Sequence, residues 1–110
     1  WPINPYGLYD VLISAKKYNL PIYILENGIA DSQDKYRANF IIEHLKMVYQ
    51  AIQNGCNVKG YFYWSLLDNF EWDKGFVPRF GLYTVDYPSL KRKPRPSSKI
   101  YAAICKNNGL

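Results

Sequence analysis

Glu26 follows four apolar residues, Ile22-Tyr23-Ile24-Leu25, and precedes Asn27-Gly28. A short run of β-branched and aromatic residues reads as a buried parallel strand. In a βα-barrel, catalytic side chains gather at the C-terminal ends of such strands, which is where this carboxylate stands. Asn-Gly is also an ordinary turn pair, and a solvated glutamate beside a turn is the commoner meaning of this position alone. A second run, Val58 to Trp64, leads into Trp64-Ser65-Leu66-Leu67-Asp68-Asn69-Phe70-Glu71-Trp72. Indole faces cover the C–H faces of a pyranose ring, and a carboxylate accepts bonds from two adjacent sugar hydroxyls. Two tryptophans bracketing an acid after a strand fit a sugar site, and core packing remains open beside that reading.

The elements that position these residues follow from hydrophobic spacing. Pro5 opens a helix, since proline tolerates the first turn. Leu8, Val11, Leu12 and Ala15 recur at helical intervals, and Asn19 and Pro21 end the run. The strand Ile22–Leu25 follows. Asp34 is the expected N-cap of a second helix, with Tyr36, Phe40, Ile41, Leu45, Val48 and Ile52 as its apolar stripe and Gly55 as its stop. After the strand Val58–Trp64 come a loop, a hairpin arm over Phe80–Tyr87, and a last helix begun by Pro96 and Ser97 and running over Ser98–Lys106. Helix, strand, helix, strand, excursion, helix is the order of an α/β protein with parallel strands. Two strands cannot close or doubly cover a sheet, so the pattern reads as a slice of a larger sheet or barrel. The opening stretch, Trp1-Pro2-Ile3-Asn4-Pro5, lacks a methionine and reads as the start of a segment of something longer.

Composition narrows the function classes. At 110 residues with 48% hydrophobic content, the chain is of one-domain size and too apolar for disorder. The net charge of +5 concentrates at Lys91, Arg92, Lys93 and Arg95. Broken by Pro94, that run reads as a solvated connector and not as a nucleic-acid surface, which interleaves exposed aromatics with more basic residues on one face. Cys56 and Cys105 form no CxxC pair, and one histidine is too few for an ordinary zinc site. They read as free thiols in a reducing, cytoplasmic compartment, with a disulfide between them as the alternative. No stretch has the length and apolarity of a membrane span or a signal peptide.

Ile24-Leu25-Glu26-Asn27-Gly28 resembles the nucleophile motif of glycoside hydrolase family 1. Trp64-Ser65-Leu66-Leu67-Asp68-Asn69-Phe70-Glu71-Trp72, Gly75, Arg79-Phe80-Gly81-Leu82 and Val85-Asp86 are similar to that family's sugar-binding signature. Pro2, Pro5, Gly7 and Leu8 are similar to the stretch before its seventh strand. The Glu-Asn-Gly triplet alone is a weak signal. The two motifs in order, across essentially the whole chain, form a specific one.

The resemblance implies a (β/α)8 barrel, of which residues 1–110 would be the C-terminal part with strands 7 and 8. It implies a retaining β-glycosidase acting on terminal β-D-glucosides or galactosides, with Glu26 as nucleophile. Trp64 would form the platform under the sugar, Glu71 would bind its 4- and 6-hydroxyls, Trp72 its 3-hydroxyl, and Phe80 would line the pocket near its 6-carbon. The Trp64–Ser65 peptide would be cis. No metal or organic cofactor is implied. Two departures stand out. Leu25 occupies a place where the family usually has threonine, and the Asn-Glu-Pro motif of the family's acid/base is absent, so a missing N-terminal barrel portion would have to supply it. The competing readings are a non-catalytic carbohydrate-binding module and an inert fragment. A binding module has no need of a strand-end carboxylate and is more often an antiparallel sandwich.

Overall fold

A computed structural model describes residues 2–110; Trp1, the first residue of the opening stretch, lies outside them. Helix α1 spans Pro5–Ala15, with Asn4 as its cap: the Asn4 side chain accepts from the Gly7 amide. A short 3-10 turn follows, and Asn19 ends it in the left-handed region at φ 52°. Strand β1, Ile22–Asn27, pairs in parallel with strand β2, Val58–Tyr63, and helix α2, Arg37–Gln53, makes the crossover between them. Beyond β2, strand β3, Tyr83–Val85, pairs antiparallel with strand β4, Arg92–Pro94. Helix α3, Pro96–Asn107, closes the order. The expected alternation of helices and parallel strands is present.

One face of the β1–β2 pair is covered and the other is open. Ile24 packs with Leu12, Val48, Ala51 and Cys56 in one core cluster, and Tyr63 packs with Phe40, Ile41 and Leu82 in a second. These residues fix helices α1 and α2 to one side of the strands. On the other side Tyr23, Leu25 and Phe62 stay 57%, 70% and 55% exposed. Apolar side chains alternating onto an uncovered face are the mark of a sheet that packs against something further.

Three expectations are corrected. Asp34 does not cap α2. It sits in the left-handed region at φ 59°, and the Asp31 carboxylate accepts the amides of Tyr36 and Arg37 at 2.8 and 3.1 Å in its place. Asp34 turns instead to α3, where it accepts the Ser97 amide at 2.9 Å and the Ser97 hydroxyl at 2.6 Å. Glu26 lies inside β1, one residue before its end, and not after it. The basic run is not all solvated connector: Arg92–Pro94 is a strand, and Arg95 is buried on Asp68 at 3.0 Å. Both cysteines are free thiols, Cys56 buried and Cys105 exposed. Among the described residues no helix is long and apolar enough to cross a membrane.

Candidate functional site

The end of β1 is irregular, and the irregularity aims Glu26. Ile24 pairs with Tyr61 and Asn27 pairs with Tyr63, so three steps along β1 match two along β2. The extra residue makes a bulge, with Leu25 and Glu26 both set against Phe62. Ile24 is in the covered core, and the Asn27 side chain accepts from the Tyr61 hydroxyl at 2.8 Å on the same side. The two residues between them are left to the open face, where both are exposed. In a strictly alternating strand Glu26 would follow Ile24 onto the covered side.

The end of β2 abuts this point. The Trp64 amide donates to the Asn27 carbonyl at 3.0 Å. Gly28 lies so close that a Cβ there would come within 1.7 Å of the Trp64 carbonyl oxygen. Glycine is required here by the approach of two backbones. The Trp64–Ser65 peptide is cis, as expected. The Ser65 amide donates to the Phe80 carbonyl, and the Ser65 carbonyl accepts the Leu82 amide at 2.8 Å. Asn27, next to Glu26, is therefore linked to Trp64, and Ser65, next to Trp64, to Phe80, through backbone bonds. The Phe80 side chain is buried. Glu71 and Trp72 ride on a separate turn, closed by the Glu71 amide on the Gly75 carbonyl at 2.7 Å. Glu71 is half-buried and Trp72 is 81% exposed with φ 45°, a left-handed conformation uncommon for a bulky side chain.

Two buried ion-pair hubs hold these loops, and sequence reasoning missed both. Arg37 is fully buried. It pairs with Asp34, donates to the Tyr63 hydroxyl at 2.9 Å, and reaches the carbonyls of Asp31 and Arg79. The Tyr63 hydroxyl in turn donates to the Phe80 carbonyl at 3.1 Å. One guanidinium thus joins the loop after β1, the end of β2 and the segment carrying Phe80. Asp68 does the same for the Trp64–Trp72 stretch, accepting from the Gly81 amide at 2.9 Å and from Arg95 at 3.0 and 3.2 Å. Burial pushes the Asp68 carboxyl up, but its bonds to Arg95, Gly81 and Val85 and the Arg95 charge hold it below the usual carboxylate value. Asp31 behaves alike: burial raises it, and the amides of Tyr36, Lys35 and Arg37 with the Arg37 charge outweigh burial. Asp68 lies within the Trp64–Trp72 motif, but nothing in its spacing points to Arg95.

The arrangement offers an exposed carboxylate at a strand end, beside a tryptophan whose backbone is fixed to it. No trio of His, Cys, Asp or Glu among the described residues is placed to hold a metal ion. The sequence model of glycosyl hydrolase family 1 matches residues 1–110. A β-galactosidase of Pyrococcus woesei is 49% identical over the whole chain, which covers 22% of that protein. β-Glucosidase A of Thermotoga maritima is 43% identical, again over the whole chain and 27% of its own length. The crystal structure of a hyperthermophilic β-glucosidase from Pyrococcus furiosus superposes with a TM-score of 0.98 at 43% identity, over all of this chain and 24% of that one. The chain thus spans about a quarter of these relatives' length. With the family matched from end to end and the backbone superposing over its whole length, this chain belongs to glycosyl hydrolase family 1.

Proposed function

We propose that this chain supplies the nucleophile and much of the sugar pocket of a retaining β-glycosidase acting on terminal β-D-glucosides and galactosides. Strands β1 and β2 are the seventh and eighth of its (β/α)8 barrel, and the exposed apolar side chains Tyr23, Leu25 and Phe62 face the barrel interior. The observation that carries the reading is the bulge that turns Glu26 out beside the end of β2. Family membership supports it, as do relatives named β-galactosidase and β-glucosidase. A Thermotoga maritima neighbour, TM-score 0.92, was solved in complex with isofagomine lactam.

Retaining hydrolysis uses two carboxyl groups about 5–5.5 Å apart. Glu26 attacks the anomeric carbon, its oxygen forming a bond to that carbon as the bond to the leaving oxygen breaks. A second carboxylic acid, from the remainder of the barrel, protonates the leaving oxygen and then takes a proton from the water that releases the sugar. Trp64 supports the sugar ring, Glu71 accepts from its 4- and 6-hydroxyls, Trp72 donates to its 3-hydroxyl, and Phe80 borders the 6-carbon. A carboxylate at Glu71 would repel a phosphate on that carbon, so unphosphorylated sugars are the substrates.

The test replaces Glu26 in a complete barrel containing this segment. Glu26→Ala should abolish hydrolysis of a nitrophenyl β-glucoside and still bind sugar. Added azide should attack the anomeric carbon from the vacated side and restore turnover with an inverted glycosyl azide as product. Near-normal turnover without azide would remove Glu26 from the mechanism.

A further inference from the structure

The residue after the proposed nucleophile is anchored on the side opposite to it. Leu25 and Glu26 occupy the bulge and face the open side. Asn27 faces the helices, where its Oδ1 accepts from the Tyr61 hydroxyl at 2.8 Å, while its carbonyl accepts from the Trp64 amide at 3.0 Å. Tyr61 is itself braced: its carbonyl accepts from the Tyr101 hydroxyl at 3.2 Å, and the two rings meet edge to face with centroids 6.3 Å apart. Burial, with smaller contributions from Tyr101 and Tyr63, pushes the Tyr61 phenol up, so it stays a donor at any working pH. A bulge is a local register choice. Sliding the strand by one place reabsorbs the extra residue and sends the side chains beyond it to the opposite face. Beside the backbone bond from the Trp64 amide to the Asn27 carbonyl, the side-chain bond that distinguishes the two registers at this point is the one between Asn27 and Tyr61.

We propose that Asn27 and Tyr61 are positioning residues for Glu26: the Tyr61 hydroxyl pins the Asn27 side chain on the covered side and so keeps the bulge open and the Glu26 carboxylate aimed at the sugar. The proposal rests on Glu26 being the nucleophile. Small displacements of a reacting group cost large factors in rate, so the pair acts on the chemical step more than on binding.

The experiment follows the first step alone. A complete barrel containing this segment is treated with 2,4-dinitrophenyl 2-deoxy-2-fluoro-β-D-glucoside. Glu26 bonds to the anomeric carbon, dinitrophenolate leaves with the bonding electron pair and needs no proton, and the fluorine slows release, so the label stays on the enzyme. Tyr61→Phe and Asn27→Ala should each slow labelling at saturating reagent tenfold or more, with half-saturation changed less than threefold. The double variant should be no slower than the slower single one. Tyr9→Phe, which removes a hydroxyl packed beside the same core that accepts from the Asn54 side chain and not from Tyr61 or Asn27, should label at the unmutated rate. Each of the Tyr61 and Asn27 variants decides the matter alone, so misfolding of one leaves the other. Labelling of Glu26 at an unchanged rate in a folded variant overturns the positioning role and leaves the nucleophile standing. A label found on another residue of the unmutated enzyme overturns the nucleophile reading instead.

Discussion

A sugar hydroxyl bound to Glu71 would be a neutral donor on a charged acceptor, and such bonds are among the stronger ones. Each contributes about 1.5–3 kcal/mol when the alternative is an unpaired group. Glu71→Ser in a complete barrel is therefore expected to lower kcat/KM on nitrophenyl β-glucoside and β-galactoside by roughly ten- to hundredfold. Unchanged values on both sugars would detach Glu71 from the pocket. Gly28 makes a sharper case, because the obstacle is backbone. A methyl group there would press on the Trp64 carbonyl oxygen, carbonyl carbon and Cα at 1.7, 2.7 and 3.2 Å. None of these atoms can swing aside as a side-chain tip would, so the ends of β1 and β2 must separate. Gly28→Ala should cost about 1–3 kcal/mol of stability. It should also reduce kcat by more than that loss of folded enzyme explains, as measured by turnover per active site titrated. Full kcat per titrated site would mean that Glu26 and Trp64 tolerate the separation.

At the scale of elements, sequence patterns carried the parts that burial makes periodic. The run Ile22–Leu25 reads as a strand because Ile24 must be covered, and the stripe through Phe40, Ile41 and Val48 reads as a helix because one face of α2 is core. The bulge was not legible, since its extra residue shows only when β1 is laid against β2. Nor were the ionic hubs: Asp34 has the composition of an N-cap, but its carboxylate accepts the Ser97 amide in the first turn of α3, 63 residues away, because the fold brings α3 to it. Arg95 sat in a charge run that resembles a solvated surface, yet Asp68 draws it inside. These buried groups predict a two-stage response to acid. Burial holds His44 below its ordinary value of 6.5, only partly offset by its Nδ1–H donating to the Phe40 carbonyl at 2.8 Å. A neutral histidine favoured by folding stabilises above the unfolded value, and that contribution is lost as pH falls from about 6.5 through the lower folded value. Asp31 and Asp68 are depressed carboxylates, so their contribution is full above about 4 and is lost as pH falls further through their folded values. The melting temperature of a complete barrel should therefore drop in two separate windows. His44→Phe should shrink the upper drop and leave the lower one, and Asp68→Asn should lower stability at neutral pH while shrinking the lower drop. A single unchanged drop in both variants would contradict these assignments.

The whole molecule has the outline of a part. Its radius of gyration is 14.9 Å, with extents of 47 × 33 × 21 Å. A compact domain of this length has a radius near 13 Å. The difference reflects what the chain leaves uncovered. The β1–β2 pair is a two-stranded sheet with its outer edges unpaired by other named strands, and an isolated pair of strands is marginal in water. Tyr23, Leu25 and Phe62 lie bare on its open face. A groove of about 630 Å³ between α2 and α3, lined by Leu45, Val48, Tyr49, Ile52 and Ile104, is also predominantly apolar. Exposed edges and apolar faces together favour association with other chains, specific or not. The chemistry points the same way, since a nucleophile without a proton donor for the leaving group cannot complete hydrolysis of an unactivated glycoside. The 110-residue chain expressed by itself is therefore expected to aggregate or to unfold without cooperativity, and to leave methyl β-glucoside and methyl β-galactoside, whose leaving groups need a proton, unhydrolysed. Under the proposed function, co-expression with the remainder of a family 1 barrel should restore solubility and activity together, because one docking event would cover the open face and bring in the acid/base. The measurements are the sedimentation profile, the thermal transition and the turnover of both substrates, with and without the added portion. A soluble monomer with a sharp transition would show that α1, α2 and α3 suffice to stabilise the pair of strands. Turnover by that monomer would place a proton donor inside this chain, with Glu71 the first to be replaced in finding it.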